Sequence, residues 1–205
     1  MLLGVDGSGI RYAYGRVCLK RLALLIADRG EVMRGLRSWL LFGVLLAPFP
    51  ALAEMQVIWP QGWEVSRSPA DATADAPVVR QRGVRMAEDG SQDLVMEVTR
   101  SRLGSGMAVS VENVIVEMRK ALQKDFMRQG FQAACSKPLE TRLGGLAGLE
   151  VHCGISQNGT EVLKQTLQVA LGEGAAYSLT YAAPSQRYEA LAGEIESVKA
   201  GIRLN

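Results

Sequence analysis

His152 is the only histidine in this 205-residue chain, and it stands two residues after Glu150 and directly before Cys153. Imidazole, carboxylate and thiolate all bind zinc, and imidazole is the usual base beside a catalytic serine or cysteine. Leu149, Val151, Cys153 and Ile155 alternate with Glu150, His152 and Gly154, so the segment reads as a strand. Side chains of a strand point to opposite faces in turn. Glu150 and His152 therefore share the outward face and Cys153 takes the other, which keeps the three from converging on one metal ion. No metal and no cofactor is expected. A Ser-His-Asp or Cys-His arrangement has one possible base, and no G-x-S-x-G elbow follows residue 53. His152 is thus either a solvent-facing strand residue or the base of a small hydrolase.

Arg80, Arg82, Arg100 and Arg102 are the second constellation. Each pair has the two-residue spacing of one strand face. If the strands carrying them pair across Asp89-Gly90, the four guanidiniums cluster and attract carboxylates or phosphates. The other reading is a charged sheet face or edge that discourages aggregation. Gly104-Ser105-Gly106 offers backbone amides near a helix start, but no phosphate-loop pattern accompanies it.

These residues need a scaffold. Met55 to Trp59 and Trp63 to Val65 read as short strands around the Pro60-Gln61-Gly62 turn, and Ser66 to Pro77 as a surface loop. Val78 to Met86 and Leu94 to Arg102 form a hairpin around Asp89-Gly90. Val111, Ile115, Met118, Leu122 and Phe126 recur at helical spacing, with Ser110 as cap and Gly130 as stop. Strands follow from Leu149, from Val162 to Leu171 after Asn158-Gly159, and from Ala176 to Ala182. A last helix after Pro184, capped by Ser185, carries Tyr188, Leu191, Ile195, Val198 and Ile202 on one stripe. Trp59, Trp63 and Tyr188 are expected in the core or at its rim. The order predicts an α+β fold, an antiparallel sheet with two amphipathic helices.

Met33 to Ala53 reads as a secretory signal peptide. Arg34 and Arg37 give the charged start, and Trp39 to Ala47 the apolar run. Ala51-Leu52-Ala53 gives a cleavage site between Ala53 and Glu54. The apolar run is shorter than the roughly 20 residues that a membrane span needs. Residues 1–32 then read as a leader upstream of the true start, and 54–205 as one globular domain without a stable membrane span. Removing 1–53 turns the net charge from +2 to −2. A near-neutral domain gives no reason to expect nucleic acid as a partner. Cys135 and Cys153 remain, an even number in an oxidising compartment, and a disulfide is expected.

The element order resembles the PsbP-like fold, an α/β/α sandwich. Pro60-Gln61-Gly62-Trp63 is similar to that family's Pro-x-x-Trp turn. The helix Val111 to Gln129 sits between two antiparallel runs as in the family. Tyr177 to Pro184, the following helix and Gly201-Ile202-Arg203-Leu204 look like its closing strand, helix and tail strand. The resemblance implies a binding or assembly module, supplies no catalytic residues, and looks closest to small secreted bacterial proteins of this fold. The expectation is a periplasmic binding or accessory protein for a protein partner or small ligand in the cell envelope. The alternatives are an envelope hydrolase using His152 or a small-anion binder using the four arginines.

Overall fold

The computed structural model describes residues 55–70, 78–104 and 109–204. The leader, the signal segment, the Ala53–Glu54 junction, Ser105 and Gly106 lie outside the described residues, as does the 71–77 part of the expected loop. The elements are β1 (Gln56–Val57), β2 (Glu64–Ala70), β3 (Val78–Met86), β4 (Gln92–Arg102), α1 (Val111–Arg128), β5 (Gln132–Cys135), β6 (Leu139–Leu143), β7 (Leu146–Gln157), β8 (Thr160–Gly172), β9 (Ala175–Pro184), α2 (Ser185–Tyr188), a 3-10 turn (Glu189–Leu191), α3 (Ala192–Ala200) and β10 (Ile202–Arg203). Among the described residues eight antiparallel strands form one sheet in the order β2-β3-β4-β9-β8-β7-β5, and β6 pairs with the first half of β7. Ends of the described chain meet in a small ribbon of β1 and β10.

Turn chemistry fixes the register. Asn158 (φ 51°) and Gly159 (φ 80°) both take the left-handed backbone that a two-residue hairpin requires, so Gln157 pairs with Thr160. The end of α1 is built the same way. Gly130 has φ 83°, the N–H of Phe131 donates to Phe126 O, and that of Gly130 donates to Met127 O. Phe131 packs edge-on against Phe126 at 6.0 Å, the apolar contact that usually closes such a C-cap. At the other end Ser110 Oγ accepts from Asn113 N–H, as the sequence predicted.

Two cores lie on the two faces of the sheet. Leu163, Leu167 and Val169 of β8, with Val151, Cys153 and Ile155 of β7, pack under Ile115, Met118, Leu122 and Phe126 of α1. Tyr177, Leu179, Tyr181 and Ala183 of β9, with Leu94, Met96 and Val98 of β4, pack under Leu191, Ile195 and Val198 of the terminal helix. The first is the α1 face of the sheet and the second its terminal face.

Four expectations need correction. Ser66 to Ala70 is not loop but part of the edge strand β2, held by pairing with β3, with Ser66, Arg67 and Ser68 exposed. β5 and β6 carry no sequence signal of their own, because strands of four and five residues at a sheet margin are too short for an alternation to mark them. Ser185 does not cap the last helix. Pro184, still paired with Leu163 in β9, takes the capping position with ψ 137°, so Ser185 is the first helical residue. That helix is also broken by the 3-10 turn rather than continuous.

Candidate functional site

The β7–β8 register sets His152 opposite Thr166 and Glu150 opposite Gln168. All four side chains therefore rise on the terminal face, and Tyr181 of β9 stands opposite Thr166 on its other side. Tyr188 of α2 descends onto them and stacks on Tyr181 at 6.3 Å. A chain of hydrogen bonds results. Tyr188 Oη lies 2.7 Å from Thr166 Oγ1, Thr166 Oγ1 lies 2.9 Å from His152 Nδ1, and His152 Nε2 lies 3.1 Å from Glu150 Oε1. Gln168 Nε2 donates to Glu150 Oε2 at 2.6 Å. Lys164 closes the cluster, 5.6 Å from the Tyr188 ring and 3.0 Å from Glu189 Oε1.

Donor and acceptor capacity decides the direction of this chain. An ionised carboxylate only accepts, so His152 Nε2 carries a proton. With a neutral ring Nδ1 then accepts from Thr166, and Thr166 accepts from Tyr188. With a charged ring Nδ1 donates and the two hydroxyls turn the other way. Every contact survives in either state.

Glu150–His152–Thr166 has the connectivity of a carboxylate, base and hydroxyl nucleophile. Its exposure is wrong for that task. Thr166 is 0% exposed and lies between the imidazole and the Tyr188 phenol, so no substrate carbonyl reaches its oxygen. Burial pushes the Tyr188 hydroxyl well above its ordinary range, against the hydrogen bond to Thr166 that lowers it. Burial likewise raises Tyr181. Neither phenol ionises near neutral pH, so the network acts as hydrogen bonding between helix and sheet. Among the described residues no group of three or more His, Cys, Asp or Glu is placed to hold a metal ion.

The four arginines do not meet. Arg82 is opposite Glu97 and Arg80 opposite Thr99, whereas Arg100 is opposite Val79. Arg80 and Arg82 therefore lie on the α1 face, and Arg100 and Arg102 on the terminal face. The hairpin register, set by a bulge between Arg85 and Met86, decides this, and the two-residue spacing alone did not contain it. Arg80 Nε sits 3.4 Å from Glu97 Oε1. Burial raises the Glu97 carboxyl above its ordinary value, with Arg80 and Arg82 pulling it back.

A second network surrounds Asp93. Asp93, 3% exposed at the β4 bulge, binds Arg85 of β3 and both Nε and Nη2 of Arg187 in α2. Arg85 Nε continues to Glu194 Oε2 at 2.8 Å, and Trp63 Nε1 donates to Glu194 Oε1 at 2.7 Å. A buried acid beside Leu94 carried no sequence signal, because its partners lie up to 94 residues away. Cys135 and Cys153 face each other across β5 and β7, with sulfurs at disulfide distance. A groove of about 500 Å3 opens elsewhere, between the start of α1 and the β6–β7 ribbon, lined by Val111, Glu112, Glu140, Arg142 and Leu149 among others.

Residues 54–204 match the family described as Domain of unknown function (DUF4946). The chain belongs to this family. No curated protein matches the DUF4946 chain. Its fold is similar to that of cyanobacterial PsbP (CyanoP) from Synechocystis sp. PCC 6803, at 12% identity and a TM-score of 0.52, over 79% of this chain and 99% of that one. LpqN of Mycobacterium tuberculosis, a protein involved in cell envelope biogenesis, aligns at 15% identity and a TM-score of 0.49, over 77% of this chain and 87% of that one. The DUF4946 domain thus has a PsbP-like, largely antiparallel α+β fold. Among the described residues no helix is long and apolar enough to cross a membrane.

Proposed function

We propose that the DUF4946 protein is a secreted, soluble accessory protein of the bacterial periplasm that works by binding rather than by catalysis. Export is supported by the signal-like segment 33–53 and by a family match that begins at Glu54, directly after the proposed cleavage site. An oxidising compartment is consistent with Cys135 and Cys153, whose sulfurs lie at bonding distance, and we assign them a disulfide. Helical elements on opposite faces of one sheet support a three-layer sandwich.

One observation carries the non-catalytic reading. The hydroxyl best placed to be activated by the only histidine is fully buried, and its oxygen is shared with Tyr188. The test is genetic. A strain lacking the protein is given the His152→Ala variant, with protein level checked by blotting. The expected outcome is full rescue of the deletion phenotype. Loss of rescue at normal protein level favours the hydrolase reading, since His152 is the only histidine base.

A further inference from the structure

We propose that the terminal face of β2–β4, beyond the reach of the terminal helix, docks an acidic segment of a partner protein. The proposal rests on the binding reading above and is independent of the export route. Arg67 of β2 is opposite Gln81, Arg100 of β4 is opposite Val79, and Arg102 is opposite Ala175. Gln81 and Ala175 identify the face. Gln81 Nε2 donates to Met55 O at 3.0 Å, and Met55 and Ala175 both belong to the core under the terminal helix. The three arginines therefore emerge on that side. The β3–β4 register that separated Arg80 and Arg82 from Arg100 and Arg102 leaves Arg67 to complete a different cluster.

Arg67 lies two strand spacings, about 9.6 Å, from β4, with Arg100 about 6.6 Å and Arg102 about 13 Å further along, so the three guanidiniums line a patch that four or five extended residues span. None of the three forms an ion pair with a described carboxylate. The nearby β8–β9 turn, held by the bond from Leu103 N–H to Gly174 O, carries one exposed acid, Glu173. Apolar surface accompanies the charge. Val65 is 43% exposed and Val79 40% exposed on this same face.

Arginine presents a planar fork that matches a carboxylate and sheds its water more easily than lysine, which suits protein interfaces. The two valines offer contact that a free inorganic anion cannot use. Attachment to anionic lipid typically draws on about 4–8 basic residues, more than this patch supplies. An acidic stretch with apolar side chains between its carboxylates fits both parts of the patch.

The test is fluorescence anisotropy with a labelled peptide of alternating Glu and Leu, titrated with the purified protein at low and physiological salt. The Arg67→Glu/Arg102→Glu double variant is expected to weaken binding at least tenfold, because both side chains are exposed and replacing them leaves the core intact. Lys124→Glu/Lys137→Glu, exposed on other surfaces and matched in net charge, is expected to change it less than twofold. Circular dichroism checks that both variants keep the fold. Equal weakening by the two pairs, or no binding by the wild type, overturns the proposal. So does competition by millimolar inorganic phosphate, which assigns the arginines to a small anion. Preferential binding to vesicles containing anionic phospholipid, lost in Arg67→Glu/Arg102→Glu, overturns it in favour of a lipid surface. A failed His152 rescue would leave each of these results unchanged.

Discussion

At Asp93 one buried carboxylate holds guanidiniums from a hairpin and from the terminal helix, and Arg85 passes the connection on to Glu194 and Trp63. Both arginines reach solvent, so they rehydrate when the acid is removed. Asp93→Asn is therefore expected to cost about 2 kcal/mol, the scale of charged hydrogen bonds, measured by urea unfolding. Tyr188→Phe removes one hydrogen bond and leaves Thr166 still able to donate to His152. It is expected to cost about 1 kcal/mol. Glu97 gives a pH signature. Its carboxyl is raised in the folded state by burial, so the folded protein holds this proton to higher pH than the unfolded chain does. Its contribution to stability accordingly falls as pH rises above about 4.5, and is most favourable below that value. Glu97→Gln should melt higher than wild type at pH 7, and the gap should close as pH drops below 4.5. A gap that stays constant with pH would contradict the burial argument.

Elements in this fold are closed by specific residues, and some of these were legible in advance. Ser110 as cap, Gly130 as stop and Asn158-Gly159 as hairpin turn each have a local physical cause, so the sequence revealed them. β5 and β6 had no such cause. They are strands because β7 offers them an edge. Gly83 is a different case, since its role appears only in three dimensions. A Cβ there would clash with ring carbons of both Trp59 and Trp63, whose centroids lie 5.5 Å apart. Gly83→Ala should cost about 2 kcal/mol by forcing those rings aside, read as a drop in thermal midpoint.

On the scale of the whole molecule, periodicity foretold a sheet with two helical segments, and the comparison with PsbP bears out that fold. The surface constellations were less legible. His152 was placed correctly with Glu150 on one face, yet the burial of Thr166 and the descent of Tyr188 depend on packing of α2, 22 residues further along. The arginines failed for a sharper reason. A register shift of one residue reverses every side chain of a strand, and a bulge between Arg85 and Met86 lies in this hairpin. The same register left Arg67, Arg100 and Arg102 together on the terminal face.

The central claim is a secreted, disulfide-bonded binding domain, and intact-mass measurement of the protein from a periplasmic fraction tests it most directly. The predicted mass is that of residues 54–205 less two hydrogens, unchanged by a thiol-alkylating reagent until a reductant is added. A precursor that keeps residues 33–53, is found in the cytoplasm, or takes up two alkyl groups without reduction would contradict it.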